Sequence, residues 1–369
     1  MHILEIPSFF PPFGGLFCLE QAKALASQGH EVRILSNVQL GLSVGLKDYL
    51  TLPTGRYEHQ MDGITVYQSF QRGLPKTIRP NVRRWLQIVI SMFGEYVDKY
   101  GTPDILHAHC AKWAGYAAMQ IGGQYHIPYV ITEHLPREIY AKELGFPASS
   151  SAWQLPLLRQ ACRQAERVIT VSAEQAEELT CYLGSDYRHL TLSNIVDVDF
   201  FAFKEREPRS DGRPFRFCCL ALYDERKGYD VLFRAFDSLA GMDPDVRLSV
   251  AGRGTDGRAS LAEVGRMRHH ERVECLGDLD KAGVRNLLYR SDCLVLATRS
   301  ESQGLVLLEA LSAGIPAVST EAIPQSVRPR VGCRFVPIDD ACALAAAMKE
   351  VTEHPEESSR DFSLEARRL

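Results

Sequence analysis

Residues Thr298–Pro316 read TRSESQGLVLLEALSAGIP, with one glutamate, Glu301, ahead of an apolar run and a second, Glu309, inside it. A charge flanked by Leu307, Leu308 and Ala310 is costly to bury alone, so Glu309 either faces water or has a partner. The neighbouring residues supply the local geometry. DCLVLAT has the unbroken apolar character of a strand covered on both faces, RSESQ is its exit loop, and GLVLLEALSA has helical spacing. Gly314 stops that helix, and Pro316 precedes the next strand, AVST. Glu301 then lies beside the free N–H groups of a helix N-terminus and Glu309 in the second turn. One ligand reaches both only by lying across the helix start, where Gly304 leaves room.

The same alternation extends outward in both directions. FRFCCLAL, the helix YDVLFRAFDSLA, VRLSVAG and VECLG complete a parallel α/β set in the second half. The first half opens with HILEI, the amphipathic LFCLEQAKALASQGH and, after the helix-ending Gly29, EVRIL. DILHAH, YVITEH and RVITVS continue it, and Ser172 with Gln175 has the spacing of a capping box for AEQAEELTCYL. Between the halves, FAFKEREPRSDGRP (201–214) is charged and aperiodic, which predicts a linker. A length of 369 residues suits about two domains. The expected fold class is therefore α/β, with two Rossmann-like parallel-sheet domains, 1–200 and 201–369, facing a central cleft. Ligands of such sheets bind at the carboxyl ends of the strands, so the loops there hold the candidates. Gln39–Asp62 reads as a long irregular stretch, a surface excursion or a substrate-side loop.

Composition narrows the function. A formal net charge of -4 argues against a nucleic-acid partner held by general phosphate attraction. Mean hydropathy of -0.15 is that of an ordinary folded protein. The ten cysteines are scattered, several in apolar runs, without CxxC pairs, and Cys110 alone has a histidine, His109, directly beside it. That pattern predicts reduced thiols, with neither a disulfide framework nor a zinc site. The N-terminus lacks a signal-peptide pattern and no run is long enough to span a bilayer, so a cytoplasmic location is expected.

Several exit loops carry chemistry. Gly14 and Gly15 precede a helix, where glycines let the backbone approach an anion; a tight turn needs them equally. Lys227, before Gly228 and a helix, opposes the helix dipole, which is favourable if an anion sits there too. Arg226 is a second cation or a solvated one. Gly252, Gly254 and Gly257 form GxGxxG after the second strand of their domain, not the first, so a glycine-rich turn is the better reading. His107 and His109 end one strand and His134 another, and His109 is the strongest candidate of the three.

Together these segments resemble the retaining nucleotide-sugar glycosyltransferases of family 4, which have the two-domain GT-B fold. The E-x7-E element from Glu301 to Glu309 carries the resemblance, supported by GGLFCLEQAKALASQGHEVRIL, PDILHAHCAKWAGYAA, LSNIVDVDFF and ERKGYDVLFRAF. The resemblance implies transfer of a sugar from a nucleoside-diphosphate donor, a UDP- or GDP-sugar, to a glycan, lipid-linked saccharide or small-molecule acceptor. It implies no metal and no other cofactor. Glu309 would accept hydrogen bonds from the ribose and Glu301 from the donor sugar. The backbone of Gln303, Gly304 and Leu305 would face sugar and diphosphate. Lys227 would neutralise the diphosphate, with Arg226 the nearest second cation. Gly14 and Gly15 would close over the diphosphate, and His109 would line the sugar pocket. Catalytic roles thus fall to Glu301, His109 and Lys227.

The chain departs from the family pattern in several places. Leu222 stands where many members have arginine, and Gln303 where an aromatic is usual. The loop after Thr320 lacks a Gly-Gly pair, and the chain ends soon after DFSLEARRL, where members continue a helix onto the first domain. Two other readings therefore stay open: a non-transferring nucleotide-sugar epimerase or hydrolase, and a catalytically silent binding subunit. The segment KTIRPNVRRWLQIVISMF sets Lys76, Arg79, Arg83 and Arg84 beside Trp85, Ile88 and Met92 at helical spacing. It is either a helix with a packed apolar face or a weak peripheral contact with the inner face of the cytoplasmic membrane.

Overall fold

The computed structural model describes all residues except 42–45, 76, 145–151, 206–212, 355–356, 358–359 and 369. Lys76 and part of the 201–214 segment lie outside the described residues. The chain divides into two compact units, Met1–Ile195 and Val196–Leu369.

In the first unit the strands are β1 (His2–Pro7), β2 (Glu31–Leu40), β3 (Gly55–Met61), β4 (Ile64–Arg72), β5 (Ile105–His109), β6 (Tyr129–Glu133), β7 (Arg167–Thr170) and β8 (His189–Thr191). They form one sheet in the order β3-β4-β2-β1-β5-β6-β7-β8. Every pairing is parallel except β3 with β4. Alternate residues of a strand point to opposite faces, and here both faces are covered. Ile3 and Ile34 join Cys18, Leu19 and Ala22 of the helix Leu16–Ser27 in one cluster. Leu4, Ile6 and Leu35 join Trp85, Val89 and Phe93 of the helix Arg79–Tyr100 in another. That helix buries Val82, Trp85, Leu86, Val89, Met92, Phe93 and Tyr96, so its apolar stripe belongs to the core and its arginines form the outer edge. Among the described residues no helix is long and apolar enough to cross a membrane.

The second unit is a six-stranded, wholly parallel sheet: β9 (Phe215–Leu220), β10 (Val246–Ala251), β11 (Val273–Cys275), β12 (Cys293–Leu296), β13 (Ala317–Thr320) and β14 (Cys333–Val336). Its order is β11-β10-β9-β12-β13-β14. This is the doubly wound pattern, which reverses direction between β9 and β12. One core cluster holds it together, with Phe215, Phe217 and Phe236 fully buried. Asp280 and Asp340 cap the helices that follow them, accepting from Gly283 N at 2.7 Å and Ala343 N at 2.8 Å. Each cap is worth about 1 kcal/mol. The C-terminal helix Ser363–Arg368 belongs to this unit, where Phe362 and Ala366 pack on Leu311.

Four local expectations are corrected. Gln39–Asp62 is not irregular throughout: β2 runs to Leu40, and the helix Leu46–Thr51 and β3 follow. Ser172 makes no capping bond; Gln175 Oε1 accepts from Val171 N at 2.9 Å instead. The start of the supposed linker is packed, with Phe201 buried in the core and Phe203 against Gly314. Not every thiol is shielded, since Cys181 and Cys342 are exposed.

Candidate active site

In the second unit the exit loops of β9 and β12 meet at the reversal point. Lys227 Nζ is paired with Glu301 Oε1, and both side chains are mostly shielded, at 17% and 15% exposure. Main-chain closeness makes this pairing available. Gly228, at φ 62°, lies so near β12 that a Cβ there would sit 2.0 Å from the Ala297 carbonyl oxygen. Arg226 O accepts from Arg299 N at 2.6 Å and from Thr298 Oγ1 at 3.2 Å. Arg299 also donates to Asp230 Oδ2 at 2.9 Å and Asp339 Oδ1 at 2.6 Å. Hydrogen bonding to Asp230 pushes the guanidinium above its usual value, against the effect of burial. Arg226 Nε lies 3.3 Å from Asp224 Oδ1, so this cation is paired rather than merely solvated.

The helix Leu305–Ser312 begins directly after Gly304, which has a φ of 87° and no side chain with which to cap it. A Cβ on Gly304 would fall 2.7 Å from Ile323 Cδ1. Ile323 belongs to the loop after β13, which lacks the family's glycine pair and is tied down by Arg328 Nε donating to Ile323 O at 2.8 Å. Glu309, in the second turn, is half-buried, and Gln303 is buried. Leu222 is exposed. Gly252 of GxGxxG has its own structural reason, because a Cβ there would lie 2.1 Å from Ala221 O.

In the first unit the corresponding reversal point lies between β1 and β5. Gly14 and Gly15 lead into the helix Leu16–Ser27 with φ of 102° and 83°, and a Gly15 Cβ would strike Phe9 O at 2.2 Å. Beside them is a buried polar chain. His109 Nε2 lies 2.6 Å from Glu5 Oε2 and His109 Nδ1 lies 2.9 Å from His134 Nε2. His107 Nδ1 is 3.1 Å from the same Glu5 oxygen, and His107 Nε2 is 2.7 Å from Thr132 Oγ1. The His134 ring stacks on Phe17, with centroids 3.8 Å apart. Burial would raise the Glu5 carboxyl, but His107 and His109 hold it down at about 2. Burial also keeps His109 and His134 below the usual imidazole value. Glu5 Oε2 is the shared acceptor of both histidine contacts, which favour its ionised form. His109, expected to line the sugar pocket, is wholly buried, with both ring nitrogens hydrogen-bonded inside the unit.

Among the described residues Glu5, His107 and His109 form the one group whose ligand atoms could hold a metal, lying within 4.8 Å of one another. The hydrogen bonds above already use those atoms. Sequence reading missed Arg299 and Glu5. The signal for Glu5 was present: a single carboxylate within the apolar HILEI poses the question that Glu309 poses.

The chain matches the family model described as Glycosyltransferase Family 4 over residues 14–200. It matches the model described as Glycosyl transferases group 1 over residues 214–354. It is 27% identical over 390 residues to glycogen synthase of Mycobacterium tuberculosis, covering 100% of this chain and 90% of that protein. Phosphatidyl-myo-inositol mannosyltransferase of the same organism is 35% identical over 175 residues, 46% of this chain and 44% of that protein. Among solved structures, sucrose-phosphate synthase from Thermosynechococcus elongatus aligns with a TM-score of 0.73 and 19% identity, covering 100% of this chain and 94% of that one.

Proposed function

The chain belongs to Glycosyltransferase Family 4, and from that premise we propose that it transfers a glycosyl group from a nucleoside-diphosphate sugar to an acceptor hydroxyl with retention at the anomeric carbon. The observation that carries this reading is the Lys227–Glu301 pair at the β9/β12 reversal point, beside the start of Leu305–Ser312. A cation and a helix N-terminus converge there, which is the chemistry a diphosphate requires.

In this mechanism Lys227, aided by Arg226, neutralises the charge that grows on the leaving diphosphate. The amides of Gln303, Gly304 and Leu305 add fixed donors that need no reorganisation. Glu301 accepts hydrogen bonds from hydroxyls of the donor sugar, and Glu309 accepts from the ribose. The bond between the anomeric carbon and the diphosphate oxygen breaks while the acceptor oxygen bonds on the same face. The acceptor proton passes to the departing diphosphate, so no metal is required. In the first unit, Gly14 and Gly15 give a backbone that tolerates a close anion, and His109 acts by holding His134. The two named curated relatives favour a saccharide or glycolipid acceptor, and the donor nucleoside is uridine or guanosine.

The test is a donor screen that measures released nucleoside diphosphate with and without candidate acceptors. Acceptor-dependent release with an α-to-α or β-to-β product supports the reading, as does loss of nucleotide binding in Glu309→Ala. Release indifferent to acceptor, or an inverted product, defeats it.

A further inference from the structure

Lys227 stands on a single turn of 3-10 helix, Glu225–Lys227, in the exit loop of β9. So short a turn has few backbone bonds of its own, and its position depends on what grips it from outside. The grip comes from Arg299, in the exit loop of β12. Its main-chain N donates to Arg226 O at 2.6 Å and its Nη1 to Glu225 O at 2.5 Å. Through Nη2 the same guanidinium donates to Asp230 Oδ2 at 2.9 Å, in the first turn of the helix Tyr229–Met242, and through Nε to Asp339 Oδ1 at 2.6 Å. Asp339 lies just beyond β14, which is three places from β9 in the order β9-β12-β13-β14, about 14 Å across the sheet. One side chain thus joins the exit loops of three strands.

Two features separate this brace from an ordinary surface ion pair. Each of the three guanidinium nitrogens has a different acceptor, and the side chain is only 25% exposed. Asp339 is also held at φ 63°, a left-handed conformation uncommon for a residue other than glycine. The charge balance shows what the brace supplies. Two carboxylates, Asp230 and Asp339, meet the charge of Arg299, so the guanidinium has no surplus to offer an anion; its contribution is geometry.

We propose that Arg299 is a positioning residue for the donor site and acts through Lys227. By fixing the main chain of Glu225 and Arg226 against β12 and β14, it holds the backbone of Lys227 in place, and the ammonium passes from Glu301 to the diphosphate by side-chain rotation alone. A turn without this brace has to be ordered at the moment of binding, and that ordering is subtracted from affinity. The proposal rests on the reading of Lys227 as the cation that meets the diphosphate.

Titration calorimetry on the full chain, with UDP and GDP as probes, tests this on Arg299→Met, Arg299→Lys, Lys227→Ala and the double variant Arg299→Met with Lys227→Ala, the folding of each being checked by circular dichroism. Arg299→Met should weaken binding of the tighter nucleotide at least fivefold. Arg299→Lys should do the same, because a single ammonium lacks the fork that reaches three separate acceptors. In the Lys227→Ala background Arg299→Met should cost less than twofold, since a residue acting through Lys227 then has nothing left to position. Asp237→Ala controls for lost stability: on the same helix Tyr229–Met242, Asp237 accepts from Arg268 N at 3.2 Å and His269 N at 2.9 Å, and its loss should leave affinity unchanged. An affinity within twofold of the original in Arg299→Met or Arg299→Lys overturns the proposal. So does a loss in the double variant equal to the product of the two single losses, or a loss in Asp237→Ala equal to that in Arg299→Met. An unaltered chain that binds neither nucleotide overturns the donor-site reading itself, and the proposal with it.

Discussion

Gly228→Ala gives a direct test of how the Lys227 loop is held. The residue is at φ 62°, a left-handed conformation that costs a non-glycine residue about 1–2 kcal/mol. The new Cβ would also stand 2.0 Å from the Ala297 carbonyl oxygen and 3.0 Å from its carbon. These are backbone atoms, so no side chain can swing aside, and more than about 1 Å must be absorbed by moving one loop away from the other. Overpacking of this kind adds about 1–3 kcal/mol. The combined loss of about 2–5 kcal/mol corresponds to a fall in Tm of the order of 10 °C for a unit of this size. Because the displaced segments carry Lys227 and Glu301, turnover should fall by about a hundredfold, the usual cost of a 1 Å misplacement. Gly254→Ala is the control: its φ is 89°, but its Cβ would come no nearer than 3.3 Å to Tyr223 Cβ and 3.9 Å to Tyr223 O. Calorimetric melting and released nucleoside diphosphate are measured on both variants. Gly228→Ala matching Gly254→Ala in both would refute the claim that contact with Ala297 sets the Lys227–Glu301 geometry.

Glu301→Gln should lower turnover by about a hundredfold yet bind free nucleoside diphosphate at least as tightly as the unaltered chain, because Lys227 loses a competing carboxylate. Titration calorimetry showing weaker diphosphate binding would contradict that. For Glu5 the folded value of about 2 lies below the usual 4.5. Its contribution to stability is therefore complete above about pH 4.5 and lost as pH falls toward 2. Glu5→Gln should flatten the decline of urea midpoints across that window, and parallel curves for the two proteins would argue against an ionised, histidine-bound Glu5.

Much of this architecture is readable in the sequence because parallel strands covered on both faces must be apolar throughout. HILEI, DILHAH, FRFCCLAL and DCLVLAT have that character and are strands β1, β5, β9 and β12. β3 was not readable for the converse reason. GRYEHQM is an edge strand, mostly exposed, and it pairs with β4 through its backbone without an apolar face. The Ser172–Gln175 spacing matched a capping box, but the buried Gln175 carboxamide reaches Val171, a choice made by packing around the helix rather than by local sequence. In the candidate site, Glu301, Lys227 and Gly304 announced themselves as charges and a glycine at a helix start. Arg299 did not, because its partners Asp230 and Asp339 are remote in sequence and only the fold brings them together.

That last cluster limits how the protein can change over generations. Arg299 bonds at once to the carbonyl of Glu225, to Asp230 at the start of the next helix and to Asp339 beyond β14. A gene drifting by single substitutions meets a penalty at Arg299, since losing the guanidinium releases three bonds together, to the adjoining Glu225 and Asp230 and to the remote Asp339. Replacing either aspartate alone releases only one. The aspartates are thus the positions where variation can enter first, and the arginine is the position that can follow only after both have changed.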